Sequence, residues 1–183
     1  MSQSGPFVAF CVWPTSWGAM GGARTENGLA RVVLPHYAPA ELRELLAFEC
    51  PGARCDEKDF EELMARCQAY FNGQAAGFDD FSDRPDAPPA LRLDLPGERT
   101  FAGRVLRACR AVPYGQTRSY SWLAEAASKP DGARAAAAAI GRNPLPLVLP
   151  CHRITYAGGE PGGFSAPGGV ELKRRMLQLE KAR

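Results

Sequence analysis

The densest chemistry in the chain lies between Asn143 and Arg153, which read Asn-Pro-Leu-Pro-Leu-Val-Leu-Pro-Cys-His-Arg. The prolines and apolar residues make a rigid, extended approach. Cys151, His152 and Arg153 then place a thiol, an imidazole and a guanidinium on consecutive residues. Nearby bases and cations lower a thiol's pKa from its free value of ~8.5 and raise the thiolate fraction. A thiolate is soft and suits attack on an alkyl carbon. The same tripeptide could equally be a buried, inert cysteine. Adjacent residues on a strand point to opposite faces, so adjacency alone does not bring the imidazole to the thiol.

Other cysteine chemistries fail on spacing. A nucleobase deaminase needs His-x-Glu and Pro-Cys-x-x-Cys to hold zinc. Here Pro150-Cys151 runs into His152-Arg153-Ile154, and the only other histidine is His36. No Cys-x-x-Cys redox pair occurs, and a papain-like site draws its histidine from far along the chain. His36, Cys50, Cys55 and Cys67 match no common zinc-finger spacing, and Cys67 falls on a helix core face. These spacings give no expectation of a zinc site.

The elements that would position Cys151 fall in the second of two parts. Ser82–Pro89 is turn-rich, and a boundary near residue 98 gives parts 1–98 and 99–183. The first part carries 8 basic and 15 acidic residues, net −7; the second carries 14 and 5, net +9. The basic part suits a polyanion and the acidic part does not. In it, Thr100 caps a helix burying Phe101, Val105, Leu106 and Cys109. Val112-Pro-Tyr-Gly115 breaks that helix, and Ser119 or Ser121 opens a short second one. Lys129–Gly132 is a turn, and Ala133–Ile140 is a third helix, so the last two form a helix-turn-helix. A last helix, Val170–Glu180, buries Leu172, Met176 and Leu177 or Leu179, with Lys173, Arg174 and Arg175 outward.

The third helix is odd for base readout, which uses Arg, Asn, Gln or Lys on one face. Its face is alanine, with Arg134 near its start and Arg142 beyond its end. It reads either as an alanine-rich core helix or as a surface that approaches DNA closely without reading sequence, a single long cation inserted beside the bases.

The first part is a small α+β unit. Phe7–Trp13 is a strand, and Gly18–Thr25 and Leu29–Leu34 form a hairpin about Glu26-Asn27-Gly28, where Asn-Gly favours positive φ. Helices follow at Glu41–Glu49 and Asp59–Asn72, and Leu91–Leu95 alternates as a strand. No stretch approaches the ~20 apolar residues of a membrane span. Met1–Trp13 lacks the basic start of a secretory signal. With six cysteines, this points to a reducing, cytoplasmic setting, nucleoid-associated in a bacterium.

Over roughly residues 91–180 the chain resembles the O6-alkylguanine-DNA alkyltransferases, or methylated-DNA–protein-cysteine methyltransferases. The resemblance rests on Val112-Pro-Tyr-Gly115, Ser119-Tyr120, Asn143-Pro144, Pro150-Cys-His-Arg153, Gly162-Gly-Phe-Ser165, Gly168-Gly169, Lys173 and Leu177-Gln-Leu-Glu180, in order and spacing. Residues 1–90 resemble the family's variable N-terminal domain only in length and element order. The resemblance implies a ribonuclease-H-like α+β domain followed by a mostly helical domain. It implies direct repair of duplex DNA bound from the minor groove; the alanine face predicts little sequence preference, and a motif without symmetry predicts a monomer. The damaged base is flipped, and the alkyl group of O6-alkylguanine, or of O4-alkylthymine, passes permanently to Cys151. His152 would act as base through a water, Glu180 would orient it, Asn143 would brace the turn, and Tyr120 would donate toward the leaving guanine. Arg134, seventeen residues before Cys151, stands at the position of the family's arginine finger. Ala133, Ala135, Ala136, Arg142, Tyr120 and Arg153 would share the DNA contact. Ile140, Pro146, Ile154, Phe164 and Ser165 would line the substrate pocket. Arg104, Arg107, Arg110, Arg118 and Lys129 supply further cations for phosphates.

Phe164 stands where many members have Tyr, Ser165–Gly169 is two residues longer than in some, and the first helix of the second part opens Phe101-Ala102-Gly103-Arg104 rather than Phe-Gln. A non-transferring damage sensor of the same family would typically have Trp in place of Cys151, and a helix-turn-helix regulator would need a polar face on residues 133–139; neither holds.

Overall fold

The structure, a computed structural model, describes residues 5–181 and separates into two compact units, Met1–Leu95 and Pro96–Arg183. The first unit is α+β. Strands β1 (Phe7–Thr15) and β2 (Gly18–Thr25) pair antiparallel from Phe7↔Thr25 to Thr15↔Gly18, and β2 pairs antiparallel with β3 (Gly28–Val33). A short β4 (Arg54–Cys55) joins β1 in parallel, giving the order β3-β2-β1-β4, so the sheet is mixed rather than wholly antiparallel. Consecutive glycines show why β2 is so buried. A Cβ on Gly21 would meet Leu42 and Leu46 of α1 (Pro39–Glu49). One on Gly22 would meet Phe60 and Trp13, just before α2 (Glu61–Phe71). Side chains alternate faces along a strand, so helical elements cover both faces here.

Two sequence expectations change in this unit. The hairpin turns on Glu26 and Asn27, with the Asn27 N–H donating to Thr25 Oγ1 at 3.1 Å, and of the Asn27-Gly28 pair only Gly28 takes positive φ, +145°. Glycine is required at 28 because a Cβ would sit 2.5 Å from the Arg92 carbonyl oxygen, which accepts the Leu29 N–H at 2.7 Å. Leu91–Leu95 forms no regular strand. A 3₁₀ turn, Pro89–Leu91, is followed by single bridges of Arg92 to Ser82 and Leu93 to Leu29. Arg24, inside the unit, holds that turn by donating to the carbonyls of Pro89 and Ala90.

The second unit is mostly helical. Helix α3 (Phe101–Arg110) starts where Thr100 Oγ1 accepts the Gly103 N–H at 3.0 Å, and it buries Val105, Leu106 and Cys109. Phe101, expected inside, is half-buried beneath the cations of Arg104 and Lys129. Strand β5 (Arg118–Ser119) leads into α4 (Tyr120–Ala126), capped by Ser119 Oγ at 3.0 Å from the Trp122 N–H. The end of α4 is a Schellman turn: the N–H groups of Ser128 and Lys129 bond the carbonyls of Glu125 and Ala124, with Ser128 at φ 60°. Residues 127–132 then connect to α5 (Ala133–Ile140), and α3, α4 and α5 pack together. Strand β6 (Ile154–Thr155) pairs in parallel with β5, and α6 (Gly169–Lys181) is the last described helix.

Helix α6 corrects the sequence reading. Lys173 is 1% exposed rather than outward, whereas Leu177 and Leu179 are only half-buried. The buried face is Leu172, Lys173, Met176 and Glu180, a helical phase in which two charged residues turn inward.

Candidate active site

Asn143 organises the approach to Cys151. Its Oδ1 accepts the Leu145 N–H at 3.0 Å and its Nδ2 donates to the Leu149 carbonyl at 2.8 Å, tying both ends of one buried loop. Within that loop Leu147 is held at φ +78° while 1% exposed. The Cys151 N–H bonds back to the Leu149 carbonyl at 2.7 Å, and Cys151–Arg153 forms a single 3₁₀ turn. A 3₁₀ turn spreads successive side chains about its axis. Cys151 therefore stays near the surface but mostly buried, while His152 and Arg153 enter the interior.

Glu180 is the centre of that interior. Its Oε1 lies 2.7 Å from His152 Nε2, and its carboxylate accepts Arg153 Nε at 3.0 Å and Nη2 at 3.1 Å. It also accepts the Gly115 N–H at 3.0 Å. Arg153 Nη1 donates to the Val112 carbonyl at 2.8 Å, and its guanidinium lies 5.5 Å from the Tyr114 ring centre. One carboxylate thus fastens the Val112–Gly115 turn, the Cys151–Arg153 turn and α6 together. Burial alone would push the Glu180 carboxyl up, but the bonds from His152 and Arg153 hold it at about 2. Paired with an ionised carboxylate, His152 Nε2 carries the proton and Nδ1 is the basic ring nitrogen. Burial outweighs Glu180 and lowers the His152 pKa below 6.5, so the imidazole is neutral near pH 7.

Burial raises the Cys151 thiol pKa, opposed by hydrogen bonding from Asn143 and by Lys173. The unbound site is therefore a protonated thiol with a neutral imidazole on the next residue. Lys173 was missed as a site residue. Its Nζ donates to the Ile154 carbonyl at 2.6 Å and lies 5.8 Å from the Tyr120 ring centre. Burial brings its pKa down to about 8, offset in part by Cys151 and Cys109. Its spacing of seven from Glu180 was the available signal, because two helical turns put both residues on one face. Tyr120 is half-buried; a Cβ on Gly162 would sit 2.8 Å from its hydroxyl, and burial raises its phenol pKa, with Tyr156 and Cys151 adding.

The residues expected at DNA divide. Arg134, Ala138 and Arg142 are exposed at helical spacing along and just beyond α5, with Ala133 and Ala135 half-buried beside them. Ala136 is 0% exposed and belongs to the core, so it is no surface contact. Arg153, committed to Glu180 and Val112, is likewise internal rather than at the surface. Among the expected pocket residues Ile140, Pro146 and Ile154 are buried, Phe164 is half-buried, and the exposed Ser165 donates to the Gly141 carbonyl. Of the cations expected at phosphates, Arg104 bonds its own unit's backbone at Ala127 and Arg99, and Arg107 does so at Pro96 and Gly103. Arg118 likewise donates to Thr117 and to Gln116 Oε1, while Lys129 is exposed and Arg110 half-buried. Among the described residues no group of three His, Cys, Asp or Glu could hold a metal ion.

Residues 100–182 match the family described as the DNA-binding domain of 6-O-methylguanine DNA methyltransferase. The methylated-DNA–protein-cysteine methyltransferase of Mycobacterium tuberculosis is 38% identical over 133 residues, 73% of this chain and 68% of that protein. The protein of the same name from Methanosarcina barkeri is 33% identical over 126 residues, 69% of this chain and 71% of its own. The crystal structure of Mycobacterium tuberculosis OGT in complex with DNA superposes with a TM-score of 0.73 at 29% identity, covering 96% of this chain and 94% of that one. On the joint strength of these matches and of the Cys151–His152–Glu180 arrangement, the chain belongs to the methylated-DNA–protein-cysteine methyltransferase family.

Proposed function

We propose that this protein repairs duplex DNA by moving the alkyl group of O6-alkylguanine, or of O4-alkylthymine, onto Cys151 Sγ, once and irreversibly. The observation that carries the reading is a partly buried Cys151 next in the chain to a buried His152–Glu180–Arg153 network, with Tyr120 near enough for its charge to be felt at Cys151. Sγ attacks the alkyl carbon, the S–C bond forms and the C–O bond breaks, and the base leaves with the electron pair. The thiol proton passes through a water to His152 Nδ1, whose positive charge is stabilised by Glu180. The Tyr120 hydroxyl donates toward the ring nitrogen where charge collects, the kind of placed donor that lowers such barriers. A proton returned to the departing base completes the balance, and no cofactor takes part.

For the base to reach Cys151 it must leave the stack, which costs a few kcal/mol and is offset by a side chain that takes its place. Arg134, exposed on α5 among small alanines, suits that wedge. The small side chains favour close minor-groove approach and leave few groups to read sequence. The protein would act as a monomer, and its six free thiols suit a reducing cytoplasm. A sensor that binds damage without transfer would not need a nucleophilic thiol, so that reading is set aside.

The test is intact mass after incubation with duplex DNA carrying O6-methylguanine, beside Cys151→Ser. One added methyl, mapped to Cys151 and absent from the variant, is the expected result. Damage-selective binding with unchanged mass would make the protein a sensor, and absence of both binding and transfer would reject the repair reading.

A further inference from the structure

Among the described residues, Tyr156 is one of two large hydrophobic side chains that stand exposed, at 59%, and the other, Phe48, belongs to the first unit. Its position follows from strand register. β5 and β6 run parallel with Arg118 opposite Ile154 and Ser119 opposite Thr155. The next pair in that register is Tyr120 and Tyr156, and their rings meet, with centres 5.5 Å apart and planes at 59°. A tight turn fixes Tyr156: its N–H donates to the Glu160 carbonyl at 2.8 Å, and its carbonyl accepts the Gly159 N–H at 2.9 Å, Gly159 being at φ +84°. The Tyr120 ring is thereby contacted on several sides. Gly162 lies at the hydroxyl, close enough that a Cβ would collide, Lys173 Nζ is 5.8 Å from the ring centre, and Tyr156 adds the partly exposed side.

We propose that Tyr156 is a positioning residue for alkyl transfer, its ring fixing the Tyr120 phenol beside Cys151 and shielding it from water. A hydrogen-bond donor aimed at developing charge works through being fixed before the charge appears. A phenol that swings or hydrates must be reordered at the moment of reaction. An aromatic neighbour in tilted contact supplies that order without competing for the hydroxyl. Burial raises the Tyr120 pKa and the neighbouring Tyr156 phenol adds to the shift by its charge, which fits two rings held in contact.

The inference rests on the repair reading for its consequence, though not for its geometry, and two measurements separate the two. The first needs no DNA. The alkaline ultraviolet titration of Tyr120 is obtained as the difference between each protein and the same protein carrying Tyr120→Phe. Tyr156→Ala is expected to move that ionisation to lower pH, and Tyr156→Phe to move it less. An unchanged Tyr120 titration in Tyr156→Ala overturns the proposal whether or not the protein transfers alkyl groups. The second is single-turnover transfer from O6-methylguanine duplex at saturating DNA. Tyr156→Ala is expected to slow transfer about tenfold, less than the ~10²–10³-fold lost with an outright donor, with half-saturating DNA unchanged. Tyr156→Phe restores the rate to within about twofold, and in the Tyr120→Phe background the alanine effect disappears, as non-additivity of coupled residues requires. The same slowing in that background, or a change only in half-saturating DNA, overturns it. A wild-type protein that transfers nothing would reject the repair reading, and the titration alone then decides for Tyr156.

Discussion

At the scale of single residues, the site is a set of unequal ionisations. Glu180 stays charged down to about 2, His152 is neutral because burial lowers its pKa below 6.5, and burial raises the Cys151 thiol. In that arrangement the imidazole is ready to take a proton and the thiol has one to give. The transfer rate should therefore fall as pH drops through the lowered His152 pKa, because a protonated imidazole cannot accept the thiol proton. Stability falls in the same direction. Both His152 and Glu180 have folded-state pKa values below their ordinary ones, 6.5 and 4.5, so the unfolded chain binds more protons in acid. Their contribution is complete above pH 6.5; it erodes first through His152 and then, below 4.5, through Glu180 as pH approaches about 2. Rate measured against pH beside circular dichroism checks the prediction: activity declines in mild acid while the fold persists. A flat rate profile would contradict the assignment of His152 as base.

At the scale of elements, the loop from Asn143 to Pro150 sets where the thiol goes. It holds Leu147 in the left-handed region, which costs a non-glycine residue about 1–2 kcal/mol. Glycine there would relieve that cost. It would also empty a site in which the leucine is 1% exposed, and deleting a buried leucine side chain costs about 2–5 kcal/mol. The larger effect wins, so Leu147→Gly is expected to destabilise the protein by about 2 kcal/mol, read from denaturant midpoints. A neutral or stabilised variant would mean that backbone strain dominates. The same comparison of local and tertiary effects explains what the sequence could reveal. Caps at Thr100 and Ser119 and the succession of helices in the second part are local signals, and they appear where expected. The inward turn of Lys173, the burial of Ala136 and the Arg153–Glu180 bond depend on which helix face meets which neighbour. Charge suggested the surface for Lys173 and Arg153, but a buried carboxylate and a carbonyl stabilise them inside. Leu91–Leu95 alternated like a strand, yet only single bridges formed, because Arg92 bonds to the Pro85 and Ala87 carbonyls while Leu93 alone is buried.

At the scale of the whole molecule, the charge division carries the argument from chemistry to partner. Net charges of −7 on residues 1–98 and +9 on residues 99–183 confine the attraction for a polyanion to the part that holds Cys151. The structure narrows which cations can serve. Arg153 neutralises Glu180, and Arg104 and Arg107 bond backbone carbonyls, whereas Arg134 and Arg142 stand exposed along and beyond α5. Each phosphate contact releases counterions and steepens the fall of affinity with salt by about 0.9 in a plot of log K against log salt. Arg142→Ala should therefore weaken binding to damaged and undamaged duplex alike and flatten that plot by about 0.9. Arg134→Ala should behave differently. On the proposed role, in which it takes the place of a flipped base, its loss should reduce transfer from O6-methylguanine far more than it flattens the salt plot. Fluorescence anisotropy across a salt series, paired with single-turnover transfer, separates the two. If both variants lost only salt-dependent affinity, α5 would be a phosphate-binding surface, and the extrusion of the base would have to come from another element.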